Sequence, residues 1–102
     1  MNTEIREYDK NVQFEIGQRI QKMRIKEGLK SIDLATELGI TKNQMSRIEN
    51  GRANCTIPQL YIIAQILNCS VDYLFFQIDT QYSVEQINAI NELIKVFKSC
   101  DA

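Results

Sequence analysis

The chain has 102 residues, enough for one domain's core and a short appendage, and its 44% hydrophobic and 25% charged content is that of an ordinary globular protein. It has no histidine, the commonest general base and a frequent metal ligand, and its three cysteines, Cys55, Cys69 and Cys100, are odd in number and far apart; neither a zinc site nor a disulfide framework is expected, and no catalytic motif stands out. The formal net charge is −1, yet residues 13–56 carry eight basic against five acidic side chains (+3), while residues 57–102 carry two against five (−3).

Residues 1–12 mix charges with only Ile5, Tyr8 and Val12 as markedly apolar side chains, and read as a loose, solvated arm. The opening MNTEIREYDKNVQ is charged rather than a basic stub ahead of an apolar stretch, and no apolar run approaches the ~20 residues that span a bilayer. A cytoplasmic location is expected, with no enzymatic activity, no cofactor, no metal, no membrane association and no small-molecule ligand.

A first helix is expected over 13–27, with Ile16, Ile20 and Met23 at helical spacing on one face, Gly28 as its stop and Leu29 returning to the core. A second follows over 31–38 with Ser31 as N-cap and Leu34, Ala35 and Leu38 facing inward; Gly39 ends it and Ile40 is a buried turn residue. Thr41 opens a third helix with a capping box to Gln44, and Asn50-Gly51 breaks it after Glu49. The spacing of Ala35, Gly39 and Met45 lets the second and third helices approach closely around a tight turn, the helix-turn-helix pattern.

Thr56 and Gln59 form another capping box, with Pro58 in the first turn where its missing N–H costs little, and a fourth helix runs to about Leu67. Its Leu60, Ile63, Ala64 and Leu67 face the core, and Asn68 ends it. Ser70 caps a short fifth helix over 71–76, in which Val71, Leu74 and Phe75 close the bottom of the domain. No segment alternates as a strand does, so the fold class is all-α, a five-helix domain over 13–76.

A linker over 77–82 leads to a final helix over 83–99, begun by Ser83 and Gln86. Projected at about 100° per residue its apolar side chains gather on one half. Ile87, Ile90, Ile94 and Phe97 have heptad spacing beside a second stripe of Ala89, Leu93, Val96 and Cys100. One stripe suits the domain and the other a second copy, so Ile87, Ile90, Leu93, Ile94, Val96 and Phe97 are the expected dimer contacts.

Residues 16–76 resemble the phage-repressor, Cro-like helix-turn-helix family of transcriptional regulators. The resemblance rests on Ile16-Gly17, Arg24, Gly28-Leu29, Leu34-Ala35, Leu38-Gly39-Ile40-Thr41, Ser46-Arg47-Ile48-Glu49-Asn50-Gly51, and Leu60, Ala64, Leu67, Val71 and Leu74. If Met45 and Ile48 are buried, Lys42, Asn43, Ser46 and Arg47 point outward, with Gln44 near the rim. The resemblance implies that Lys42, Asn43, Gln44 and Arg47 read bases in the major groove of double-stranded DNA, and that Lys30, Ser31, Asn50 and Arg52 hold phosphates. It also implies a buried ion pair between Arg24 and Glu49; the alternative is that both are exposed. Two departures weaken the phosphate grip: Ser31 stands where many relatives have glutamine, and the loop 51–55 carries one cation. A homodimer on a near-palindromic site follows as the leading expectation. The alternative is a protein-interaction module, an antitoxin or regulatory adaptor, that uses the apolar C-terminal helix. A thiol response through Cys100 is a further possibility.

Overall fold

Asp9 turns the arm into helix. Its carboxylate accepts the Val12 amide at 2.9 Å, and α1 then runs Lys10–Lys26 in the computed structural model, which describes residues 5–78 together with Glu92 and Leu93. The helix thus starts three residues before the expected position. An aspartate at the N-cap satisfies an amide that otherwise has no intrahelical partner, and this outweighs the polar character of the first turn. Nor is the arm simply solvated. Although residues 5–9 are exposed, Arg6 makes a two-pronged bond to Glu15 at 3.1 and 3.2 Å, and the Tyr8 hydroxyl donates to Asn54 Oδ1 at 2.6 Å.

Helix α2 spans Ser31–Leu38, but its cap differs from the expected one. Lys30 holds the N-cap position, Ser31 is the first helical residue, and the Lys30 amide donates to the Asp33 carboxylate at 2.8 Å. A carboxylate in the first turn both satisfies that N–H and meets the positive end of the helix dipole, which a hydroxyl does less well. Gly39, at φ 67°, closes α2 in the left-handed conformation, and α3 follows over Lys42–Glu49. Helix α4 covers Ile57–Ile66, with Thr56 accepting from the Gln59 amide at 3.2 Å and Gln59 Oε1 accepting from the Thr56 amide at 2.9 Å. Helix α5 covers Val71–Phe76, its first turn held by Ser70, whose hydroxyl accepts the Tyr73 amide at 3.0 Å. Residues 5–78 form five helices and no strand.

Helix α3 packs on both α1 and α2, α4 packs on α2, and α5 closes against α1 and α4. The core is built from Ile16, Ile20 and Met23 of α1, Leu34 and Ala35 of α2, Met45 and Ile48 of α3, Ile63 of α4, Leu67 at its end and Leu74 of α5. Each fully buried Leu, Ile or Met side chain contributes roughly 1.5–3 kcal/mol by leaving water. One expected core position lies at the surface: Val71, at the first turn of α5, is 39% exposed, whereas Ile40, at the turn between α2 and α3, is half-buried and packs against the core as Leu29, Leu38, Leu60 and Phe75 do. The expected C-terminal helix over 83–99 lies outside the described residues apart from Glu92 and Leu93, which are helical and exposed.

Candidate nucleic-acid interface

Helix α3 has two sides with different work. Met45, Ile48 and Glu49 face inward, whereas Lys42, Asn43, Ser46 and Arg47 are exposed. The Lys42, Asn43 and Arg47 side chains make no hydrogen bond or ion pair within the described residues, so a row of donors and one amide acceptor stands ready on a single helix face. Its N-terminal end is fixed by the capping box: Thr41 Oγ1 accepts from the Gln44 amide at 3.1 Å, and Gln44 Oε1 accepts from the Thr41 amide at 2.8 Å. This cap orients the Gln44 carboxamide. Its carbonyl is engaged by the backbone and its Nε2 hydrogens are left as the donors it can offer outward.

The C-terminal end of α3 is held by α1. Arg24 Nε and Nη2 donate to the two Glu49 carboxylate oxygens at 2.8 and 2.9 Å, and Arg24 Nη1 donates to the Leu29 carbonyl at 2.9 Å. Glu49 is 2% exposed, so this carboxylate depends on the guanidinium for its solvation. Nearly two turns earlier on α1, Gln18 Nε2 donates to the Glu49 carbonyl at 2.9 Å. Gly17 permits this proximity: a Cβ there would lie 2.3 Å from the Ile48 carbonyl oxygen and 2.6 Å from that of Glu49. Gln13 Nε2 then donates to the Gly51 carbonyl at 2.9 Å.

The residues assigned to phosphates are differently situated. Arg52 is exposed and makes no side-chain bond within the described residues. Asn50 spends both Nδ2 hydrogens at home, donating to the Ser46 carbonyl at 2.9 Å and to Ser46 Oγ at 3.2 Å, and so finishes α3. At the start of α2, Lys30 is exposed and Ser31 half-buried, with the Asp33 carboxylate already on the Lys30 amide. Beside α3 lies a shallow cavity of about 190 Å³ whose floor is Ile40, Ile48 and Ala53 and whose rim is Gln44, Arg47, Asn54, Thr56 and Gln59.

Several positioning residues carry no local sequence signal. Gln13, Gly17, Gln18 and Asn54 find their partners more than thirty residues away, and Arg19 Nη1 donates to the Leu74 and Phe75 carbonyls at 2.9 and 3.0 Å. Burial pushes the Cys55 thiol up to about 11 and raises that of Cys69, which keeps both protonated near neutrality. Among the described residues no group of His, Cys, Asp and Glu could hold a metal ion. Of the expected dimer contacts, Leu93 is 60% exposed, while Ile87, Ile90, Ile94, Val96 and Phe97, like Cys100, lie outside the described residues.

The helix-turn-helix family model matches residues 20–74. The chain is 32% identical over 60 residues to an uncharacterized HTH-type transcriptional regulator of Rickettsia prowazekii, which covers 59% of this chain and 46% of that one, so the chain spans less than half of that relative's length. Among solved structures, SinR, a master regulator for biofilm formation, in complex with DNA is 37% identical, covers 58% of this chain and 95% of that one, and has a TM-score of 0.51. A SinR–SinI protein complex is 27% identical and covers 82% of this chain and 98% of that one, with a TM-score of 0.57.

Proposed function

The chain belongs to the helix-turn-helix family in its phage-repressor, Cro-like form, and from that premise we propose that it is a sequence-specific DNA-binding transcriptional regulator, located in the cytoplasm and without enzymatic activity. The observation that carries this reading is the outward side of α3, where Lys42, Asn43 and Arg47 are exposed and unengaged on a helix whose other side is fully buried. Such side chains match base edges in the major groove: arginine or lysine meets the O6 and N7 of guanine, and asparagine meets the N6 and N7 of adenine. Gln44, oriented by its cap, adds Nε2 hydrogens suited to a purine N7 or O6.

Phosphate positioning falls to Lys30, Ser31 and Arg52 with the backbone around them, and Asn50 contributes by finishing α3. That grip is thin, which is why two copies are needed. A homodimer on a near-palindromic site places two α3 helices in successive major grooves, about 34 Å apart. No helix among the described residues is long and apolar enough to cross a membrane.

Selection of bound duplexes from a random DNA pool tests the reading. The wild type should enrich a near-palindrome, and Arg47→Ala should relax one position in each half-site at a cost of about 1–3 kcal/mol. No enrichment at low salt overturns the proposal. Analytical ultracentrifugation addresses assembly: the full chain should sediment as a dimer and the chain cut after Gln77 as a monomer. Equal behaviour of the two removes the C-terminal helix from the interface. A second reading, in which that helix engages a different protein, draws on the match to the SinR–SinI complex across 82% of this chain. A full-length chain that is monomeric alone favours it.

A further inference from the structure

The arm 5–9 precedes the residues matched by the family model, yet it reaches the loop that follows α3. Tyr8 donates its hydroxyl to Asn54 Oδ1 at 2.6 Å across 46 residues of sequence. At the other end of the same loop, Gln13 holds the Gly51 carbonyl, and Gly51 lies so close to α1 that a Cβ would come within 2.5 Å of the Phe14 Cα. The arm is itself tied to α1 through the two-pronged Arg6–Glu15 bond, and Tyr8 sits over the apolar side of the groove formed with Val12, Ile16, Phe75 and Phe76. Loop 51–55 is thus anchored at both ends by elements N-terminal to the helix-turn-helix.

This loop holds a set of uncommitted donors, with Arg52 and Asn54 exposed and Ala53 and Cys55 half-buried. The amides of Ala53, Asn54 and Cys55 make no hydrogen bond within the described residues, and the Arg52 guanidinium is likewise unengaged. With its carbonyl taken by Tyr8, Asn54 leaves its Nδ2 hydrogens as the group available to an acceptor. Backbone amides, an amide NH2 and a guanidinium in four consecutive residues, 52–55, beside α3 form the chemistry that receives a phosphate oxygen. Donors of this kind bind well only when their positions are fixed before the anion arrives.

We propose that Tyr8 is a positioning residue for DNA binding: through Asn54 it presets loop 51–55 so that its donors meet a backbone phosphate next to the groove entered by α3. This rests on the DNA-binding reading above. Tyr8 itself touches no base.

The test uses the full chain, its Tyr8→Phe and Asn54→Ala variants and the double variant, with a duplex enriched by the wild type and an unrelated duplex as probes. Each single variant should bind both duplexes about two- to tenfold more weakly, the range one exposed hydrogen bond covers. The double variant should be no worse than Asn54→Ala alone. The slope of log affinity against log salt should become shallower by about 0.9, the value of one phosphate contact. Hydrogen exchange of the free protein should be faster at the amides of 52–55 in Tyr8→Phe, with an unchanged melting temperature. Unaltered affinity, additive single losses, loss confined to the enriched duplex, or unaltered loop exchange overturns the proposal. If the wild type binds neither duplex, the DNA-binding reading fails and this role with it, whereas normal wild-type binding with an unaffected Tyr8→Phe defeats the positioning role alone.

Discussion

Arg24→Met lowers stability by about 3–5 kcal/mol and the melting temperature by ~15 °C or more, because it leaves the Glu49 carboxylate 2% exposed with no counter-charge. The magnitude comes from desolvation rather than from the attraction itself. Glu49 is buried and Arg24 mostly so, with side-chain exposures of 3% and 11%, and the carboxylate has both oxygens on the guanidinium. Removing one partner is therefore far worse than removing both. Arg24→Met with Glu49→Leu should recover most of the loss, since two apolar side chains of similar volume need no solvation. Recovery should stop short of the wild type: Arg24 also donates to the Leu29 carbonyl, and methionine leaves that acceptor without its partner. Thermal melts followed by circular dichroism decide the matter, and a single variant within about 2 °C of wild type excludes a structural dependence of Glu49 on Arg24.

Gly17→Ala is the second large effect, and here two terms oppose each other. In the interior of α1, alanine gains about 1 kcal/mol over glycine in helix propensity. Against this, its methyl would lie 2.3 Å from the Ile48 carbonyl oxygen and 2.6 Å from that of Glu49. These are backbone atoms that cannot rotate aside, and the α1–α3 separation must grow. Overpacking of this kind costs about 1–3 kcal/mol and occasionally more, so the variant should be net destabilised by up to about 2 kcal/mol. Binding to a selected duplex should fall by more than the fraction unfolded explains, because widening that contact shifts the end of α3 carrying Arg47. A variant that melts above wild type would show that propensity prevails and that the contact yields.

The legible parts of the fold are those in which cause and effect lie within one turn or one helical period. Thr41 with Gln44 and Thr56 with Gln59 are capping boxes whose partners are three residues apart, and Ile16, Ile20, Met23, Met45 and Ile48 mark buried sides by spacing. Asp9 lies outside such a pattern, because the first apolar period starts at Ile16, two turns beyond it. The partnership of Arg24 and Glu49 spans 25 residues and was visible only through family resemblance. The holds from Gln13, Gln18 and Arg19 were not visible at all. Each donates to a backbone carbonyl, a group every residue carries, so the recipient has no side-chain identity by which a sequence could announce it. Tyr8 and Asn54 are similar: either polar group suits many partners, and only the packed fold brings these two together.

The division of labour on α3 has a consequence for how such a protein changes over time. The side chains that secure the helix are Thr41, Gln44, Met45, Ile48, Glu49 and Asn50, whereas Lys42, Asn43 and Arg47 bear no part of the internal bonding. Exchanging exposed residues of the second group alters stability by about 0.5 kcal/mol or less. Preference for one duplex over another can therefore drift, or be engineered, without passing through an unfolded intermediate sequence. Gln44 is the exception: it belongs to both groups, and a change there alters vocabulary and architecture together.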